Sequence, residues 1–343
     1  MKSPVSRYLA GLILTPLCIL QAAATTPSTA IPVNVDNFVR AESDRYFAAM
    51  AQRDGLGKLR HNRELASIDK QTVIRLNRDT LYSVGVFDLD AGPVSVTLPD
   101  AGKRYLSMQV INEDHFVQGM FYRPGVHQLT RDSVGTRYAA VGIRVLADPE
   151  SPQDMKEAHA LQDLIKVEQR GSGRLELPAW EKSSQDKVRA ALLALAELEP
   201  DLNRAFGRQN EVDPVRHLIA TASAWGGNPS QDAIYLNVTP QRNDGVTPYE
   251  LRVKDVPVDA FWSVSVYNDK GYFVANPRNA YSLNSVTAKK ESDGAIRVRF
   301  GNCDEQPNCL PIMPGWNYMV RLYQPQSSVL AGSWRFPEAT PAN

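Results

Sequence analysis

Neither sign of charge predominates in this chain: 38 Lys and Arg stand against 38 Asp and Glu over 343 residues. A nucleic-acid or anionic-membrane partner calls for a basic face, so the balance argues against both. Catalytic signatures are also missing. No Gly-x-Ser-x-Gly pentapeptide occurs, and Ser223 before Trp225-Gly226 is only an echo of one. There is no phosphate-binding loop and no dinucleotide glycine pattern. The five histidines, His61, His115, His127, His159 and His217, form no His-x-His or His-Glu-x-x-His pair, so neither a metal nor a cofactor is expected. Internal repeats, low-complexity tracts and coiled-coil heptads are absent too.

Cysteine is scarce, with three in the chain. Cys18 falls in an N-terminal segment that has the parts of a secretory leader. Lys2 and Arg7 give a positive start, Leu9 to Leu20 is apolar, and Ala22-Ala23-Ala24 offers small residues for cleavage. Residues 1–24 therefore read as a signal peptide. A membrane anchor is the alternative, but the apolar run is short for a bilayer. No other segment is apolar enough to span one, so no membrane association is expected after cleavage. Cys303 and Cys309 then remain, separated by the polar turn Asp304-Glu305-Gln306-Pro307-Asn308. In an exported chain such a pair reads as a disulfide, worth about 2–3 kcal/mol by loop-closure entropy. Two thiolates with no histidine nearby make a weak zinc signal.

What is present is a change of period along the chain. Phe38, Val39, Tyr46, Phe47 and Met50 form a helical stripe, capped by Asn34 or Asp36 and ending near Arg53 before Gly55 and Gly57. From Gln71 the pattern turns strand-like. Leu81 to Asp88, Val94 to Leu98, Tyr105 to Ile111 and Tyr138 to Leu146 read as strands separated by turn residues. Their spacing predicts an antiparallel sandwich over 34–150 rather than βαβ units. Residues 151–227 read as a helical block. Ser151-Pro152 starts one helix, Ser183 or Ser184 starts a second running toward Phe206, and Asp213-Pro214 starts a third that Gly226-Gly227 stops. The strand period returns over 228–337. There Phe261, Ser263, Ser265 and Tyr267 share one face, while Trp262, Val264 and Val266 share the other. The fold class is thus mainly β with a helical insert.

Several of these stretches resemble a known pair of bacterial families of unknown function, DUF 1254 and DUF 1214. Asn37-Phe38-Val39-Arg40-Ala41-Glu42, Asn77-Arg78-Asp79-Thr80-Leu81-Tyr82-Ser83 and Arg104-Tyr105-Leu106-Ser107-Met108-Gln109 resemble the first family. The second is matched by Asp259 to Tyr267, Ser292-Asp293-Gly294, Asn308-Cys309-Leu310-Pro311, Arg321 to Pro325 and Trp334. The resemblance implies an all-β N-terminal domain, a helical segment and a jelly-roll-like C-terminal sandwich, with no agreed reaction. Members of the second family often carry Trp where this chain has Cys309, which implies that the disulfide replaces the packing of that Trp.

Two polar clusters are candidates for chemistry. Glu113-Asp114-His115 ends a strand, where a carboxylate beside an imidazole raises its pKa toward neutrality and suits proton transfer. Arg75-Leu76-Asn77-Arg78-Asp79 packs two guanidiniums and a carboxylate into five positions, with Arg75, Asn77 and Asp79 on one strand parity. An Arg75–Asp79 or Arg78–Asp79 pair can pin the strand entry. Equally, an arginine fork can hold a carboxylate or sugar hydroxyls. Arg75, Asn77, Tyr82, Trp225 and Asn228 are the candidate ligand contacts, the last two beside Tyr235 and Asn237 at a helix-to-strand junction. The leading expectation is a small molecule or glycan bound in an interdomain groove. The other is an ester or glycoside hydrolase using Asp114 and His115 with Arg78 and Asp79. The oligomeric state is not encoded in any of these features.

Overall fold

A computed structural model describes residues 30–342 apart from 72, 199–201 and 305. The expected leader lies outside the described residues. The chain opens with helix α1 (Phe38–Asp54). Asn37, not Asn34 or Asp36, sits at its N-cap; the Asn34 side chain instead accepts from the Asp36 and Asn37 amides and shapes the preceding turn. Strands β1 (Arg60–His61) and β2 (Thr80–Asp88) follow. The stretch before β2 is not a strand. Arg75 has φ of 52°, a left-handed conformation that ends any extended run, so the parity expected for Arg75, Asn77 and Asp79 does not apply.

The N-terminal sandwich continues with β3 (Val94–Leu98), β4 (Leu106–Asn112), β5 (Val117–Phe121), β6 (Gly125–Leu129), the short helix α2 (Arg131–Val134) and β7 (Tyr138–Leu146). Ser151 caps α3 (Pro152–Leu164) by accepting from Asp154 N–H, as Pro at the first helical position predicts. The helical stretch is then interrupted by β8 (Lys166–Gln169), which returns to pair with β3. One sheet runs β1-β2-β7-β4-β5 and the other β6-β3-β8. Leu81, Phe87, Met108, Val141 and Ile143 from the first sheet pack with Val94, Val96 and Leu98 from the second. Helix α4 (Lys182–Ala196) stops short of Phe206, and α5 (Pro214–Ser223) is capped by Asp213, whose carboxylate accepts from the Val215 and Arg216 amides.

The C-terminal sandwich has eight strands: β9 (Ala233–Val238), β10 (Tyr249–Val253), β11 (Trp262–Tyr267), β12 (Ser282–Asn284), β13 (Ile296–Phe300), β14 (Cys309–Leu310), β15 (Asn317–Tyr323) and β16 (Thr340–Pro341). A four-residue helix, α6 (Ser327–Leu330), lies between the last two. The sheets run β14-β13-β10-β16 and β12-β11-β15-β9, antiparallel except for the β13–β14 pair. Trp262, Val264 and Val266 point into the sandwich with Val320 and Leu322, as their alternation predicts. Cys303 and Cys309 form a disulfide with Cα atoms 5.4 Å apart, beside the β13–β14 pairing.

What positions the site is the use of second faces. The even-numbered residues of β2 and β7 point away from the N-terminal core. Near Val86, Ile111 and Ala140 that face is covered by Phe47 of α1 and Ala220 of α5. Toward Thr80, Tyr82 and Arg144 it meets the outer face of the β12-β11-β15-β9 sheet. There Tyr105 and Leu146 pack with Phe261 and Tyr323, and Tyr235 joins them.

Candidate functional site

The signature Arg75 to Ser83 docks into the second sandwich. Arg75 donates to Asn317 Oδ1 at 2.8 Å, and Tyr267 OH donates to the Leu76 carbonyl at 2.9 Å. Asn77 bridges: its Nδ2 donates to Tyr323 OH at 2.6 Å while its Oδ1 accepts from Asp79 N–H at 2.7 Å. Asp79 Oδ2 accepts from Ser263 Oγ at 2.6 Å and more weakly from Tyr323 OH at 3.4 Å. Burial holds the Asp79 carboxyl above its usual range, against the pull of Arg321 and these donors. Arg321 donates to Ser265 Oγ, Tyr267 OH and the Arg75 carbonyl. Arg78 turns away, donating to the Ala66 carbonyl and lying over the Tyr281 ring at 5.3 Å. The expected Arg–Asp pairs are therefore not made: Asp79 pairs across the domain junction, and Arg75 and Arg78 bond to amide and backbone oxygens.

A second polar group lies on the same face of the first sheet. Register aligns Tyr82 and Ser107 on either side of Arg144. Arg144 is 8% exposed, and no carboxylate pairs with it among the described residues. Its Nη2 donates to the Gly226 carbonyl at 3.3 Å, its Nε reaches Tyr82 OH at 3.4 Å, and its Cζ stands 5.4 Å from the Tyr82 ring centroid. Nη1 has no hydrogen-bond partner among the described residues. Burial opposes the charge of Arg144, yet its pKa stays above the ordinary arginine value and the guanidinium is protonated at physiological pH. Burial pushes the Tyr105 hydroxyl up to about 12, against the charge of Arg144 and then the Ser107 hydroxyl, which approaches it without completing a hydrogen bond. It raises Tyr235 and Tyr323 as well, so these phenols are neutral donors at physiological pH.

Asn228 lies two residues beyond Gly226, whose carbonyl meets Arg144. Its backbone N–H donates to Tyr235 OH at 3.1 Å, and Gln109 Nε2 donates to the adjacent Gly227 carbonyl at 2.7 Å. Among the described residues, both atoms of the Asn228 side-chain amide are buried without partners, as are Tyr105 OH, Ser107 Oγ and Thr80 Oγ1. Buried polar atoms are nearly always paired, because each unpaired one costs about 1–3 kcal/mol. Asn228 and Tyr235 also line an adjoining cavity of about 480 Å³, walled by Asn237, Leu236, Trp334 and Phe336.

The second predicted cluster is structural. His115 lies at a turn with φ of 60° and is fully buried. Its Nε2 accepts from Gly226 N–H at 2.9 Å, and its Nδ1 lies 2.8 Å from Thr221 Oγ1. Because that hydroxyl donates to the His217 carbonyl, Nδ1 carries the proton. The ring stacks on Trp225 with centroids 5.3 Å apart. Burial first, and then His217, drive the His115 pKa well below its ordinary value, the reverse of what its acidic neighbours suggested. Asp114 turns outward and pairs with Arg40 at 2.6 Å. Asp114 and His115 share no hydrogen-bond partner with Arg78 or Asp79, so the four do not form one acid–base constellation. Trp225 likewise belongs to this packing, donating to Ser43 Oγ at 3.2 Å and stacking on Tyr46.

Of the predicted ligand contacts, Tyr82 lies against Arg144 and Asn228 lines the cavity; Arg75 and Asn77 bond across the two sandwiches. Sequence reasoning missed Arg144, Ser107, Tyr105 and Thr80 as site residues. One signal was available: Arg144 is the lone charge inside an otherwise apolar strand, Tyr138 to Leu146.

Two sandwiches joined through buried polar contacts define a mainly β protein. Residues 56–142 match the family model "Protein of unknown function (DUF1254)", and residues 234–327 match "Protein of unknown function (DUF1214)", so the chain carries both family domains in that order. Among solved structures it is similar to the VPA0106 protein from Vibrio parahaemolyticus, 18% identical over 90% of this chain and 98% of that one, with a TM-score of 0.67. It is also matched, at 13% identity over 85% of this chain and 84% of the other and a TM-score of 0.49, to an uncharacterized protein from Burkholderia cenocepacia. At these identities the likeness concerns the fold alone. No curated protein matches the chain.

Proposed function

We propose that the protein is an exported binding protein that holds a small molecule or glycan at the junction of its two β domains. The observation that carries this reading is Asn228, which follows the Gly226 and Gly227 carbonyls bonded to Arg144 and Gln109 of the first sheet; its amide is buried with both polar atoms unpartnered among the described residues, and it lines a cavity of about 480 Å³ beside the second sandwich. A buried amide is retained at such a cost where a ligand completes its hydrogen bonds. Trp334 and Phe336 on the cavity wall offer faces for an apolar or sugar ring. Export is supported by the leader-like composition of residues 1–24 and by the Cys303–Cys309 disulfide.

Thermal-shift and calorimetric screening against small molecules and oligosaccharides tests the binding. A saturable ligand should raise the midpoint of the wild type and lose at least tenfold in affinity on Asn228→Ala. Turnover of a substrate with no ligand shifting the wild type would sink the reading. For export, mass spectrometry of the protein from cell fractions should find it outside the cytoplasm with a mature N-terminus near Ala24. An uncleaved chain in the cytoplasm contradicts that part.

A further inference from the structure

We infer that the polar group around Arg144, which adjoins the cavity through Asn228 and Tyr235, takes up a monocarboxylate whose charged end Arg144 binds. This rests on the binding reading above and adds the chemical class of ligand. Arg144 is almost wholly buried and keeps its charge, yet no carboxylate pairs with it among the described residues. An uncompensated buried guanidinium is among the most costly groups a fold can contain. Its Nη1 is unpartnered, while Nη2 and Nε make only long contacts of 3.3 and 3.4 Å. A planar carboxylate suits a guanidinium edge bidentately.

The surroundings set the charge and the body of the ligand. The other unpartnered groups beside Arg144 among the described residues are neutral: the Tyr105 hydroxyl, Ser107 Oγ, Thr80 Oγ1 and the Asn228 amide. The nearby Asp79 carboxyl faces the charge of Arg321 rather than that of Arg144. One fixed positive charge matches one negative charge. The neighbouring Arg321 is committed to Ser265, Tyr267 and the Arg75 carbonyl, so a dianionic phosphate has no second cation to meet it. Tyr82, Tyr105, Tyr235 and Tyr323 supply aromatic surface, which favours a ring or short apolar body behind the carboxylate.

Isothermal titration of the full mature chain at pH 7 tests this with acetate, benzoate and glucuronate, each beside its uncharged amide, and with inorganic phosphate and sulfate. At least one carboxylate should bind saturably and its amide at least 100-fold more weakly. Arg144→Met should abolish that difference, and Arg144→Lys should keep a weakened preference for the acid. The acid–amide pair needs no variant, so it decides the question even if Arg144→Met fails to fold. If neutral ligands bind and no acid is preferred, or if phosphate binds more tightly than every carboxylate, the carboxylate assignment is overturned while the binding reading stands. Should nothing in the panel bind, the carboxylate assignment fails. If the broader small-molecule and oligosaccharide screen is then also silent, both readings fail.

Discussion

Two buried polar regions lie on the same face of the first sheet, and they differ in completeness. Around His115 both ring nitrogens are engaged, and Trp225, His217 and Phe206 pack on the ring. Around Arg144 six polar atoms remain unpartnered among the described residues: Nη1, both Asn228 amide atoms, Tyr105 OH, Ser107 Oγ and Thr80 Oγ1. The first group is completed within the fold, and the second is what the ligand proposed above would complete. Titratable type is therefore a poor guide to function here. The histidine, the residue best suited to proton transfer by its ordinary pKa, is locked neutral.

The comparison breaks if removing each side chain has the same effect. His115→Ala should have the largest cost. It orphans Gly226 N–H and Thr221 Oγ1 and opens a gap beside Trp225, for a loss of about 3–4 kcal/mol, read as a lower urea midpoint. The wild type should also lose stability as the pH falls from about 6.5, because His115 stays neutral when folded and takes up a proton when unfolded. His115→Ala should lack that dependence.

Asp44 falls between the two cases. Its Oδ2 accepts from Trp180 Nε1 at 2.7 Å, but its Oδ1 is unpartnered. Burial, aided by Glu113 and Asp114, raises its pKa from 3.8 to about 6. The folded state thus favours the protonated acid. The resulting stability is fully present below pH 3.8 and is lost as the pH rises through about 6. Asp44→Asn should match the wild type near pH 3.5. At pH 8 it should exceed it by about 2 kcal/mol, a figure reduced from the full shift for solvent screening. Paired denaturation curves at the two pH values check this, and equal gaps would refute it.

Arg144→Met should have the smallest effect on the unliganded protein. Replacing an unpaired buried charge by an apolar side chain of similar length is often neutral or stabilising, so the urea midpoint should change by less than about 1 kcal/mol equivalent. A loss as large as that of His115→Ala would mean that Arg144 serves the fold, and the contrast between the regions would disappear.

Much of this architecture was legible in the sequence. The alternation in Phe261 to Tyr267 assigned Trp262, Val264 and Val266 to one side and Ser263, Ser265 and Tyr267 to the other, and the packing follows it. Short strands were harder. Val117–Phe121, Gly125–Leu129 and Lys166–Gln169 carry too few apolar residues to announce a period, and partners distant in sequence hold them in place. The site was legible only in part. Tyr82 and Asn228 were expected as ligand contacts and lie in the polar group proposed as the site, but Arg144 was hidden because local pattern does not say which buried charges find partners. Arg78 and Asp79 misled for the same reason: adjacent opposite charges invite a pairing, and Asp79 instead finds Ser263, 184 residues away.

That separation has a consequence for how the chain matures. Residues 75–79 leave the ribosome long before β11 and β15 exist, so the entry to β2 cannot bury Asp79 or satisfy Asn77 on its own. The first sandwich is expected to keep this polar edge hydrated until the last third of the chain arrives. The N-terminal half made by itself should therefore stay loosely closed at this edge, and completion of the C-terminal half acts as the checkpoint that commits the molecule to its final state.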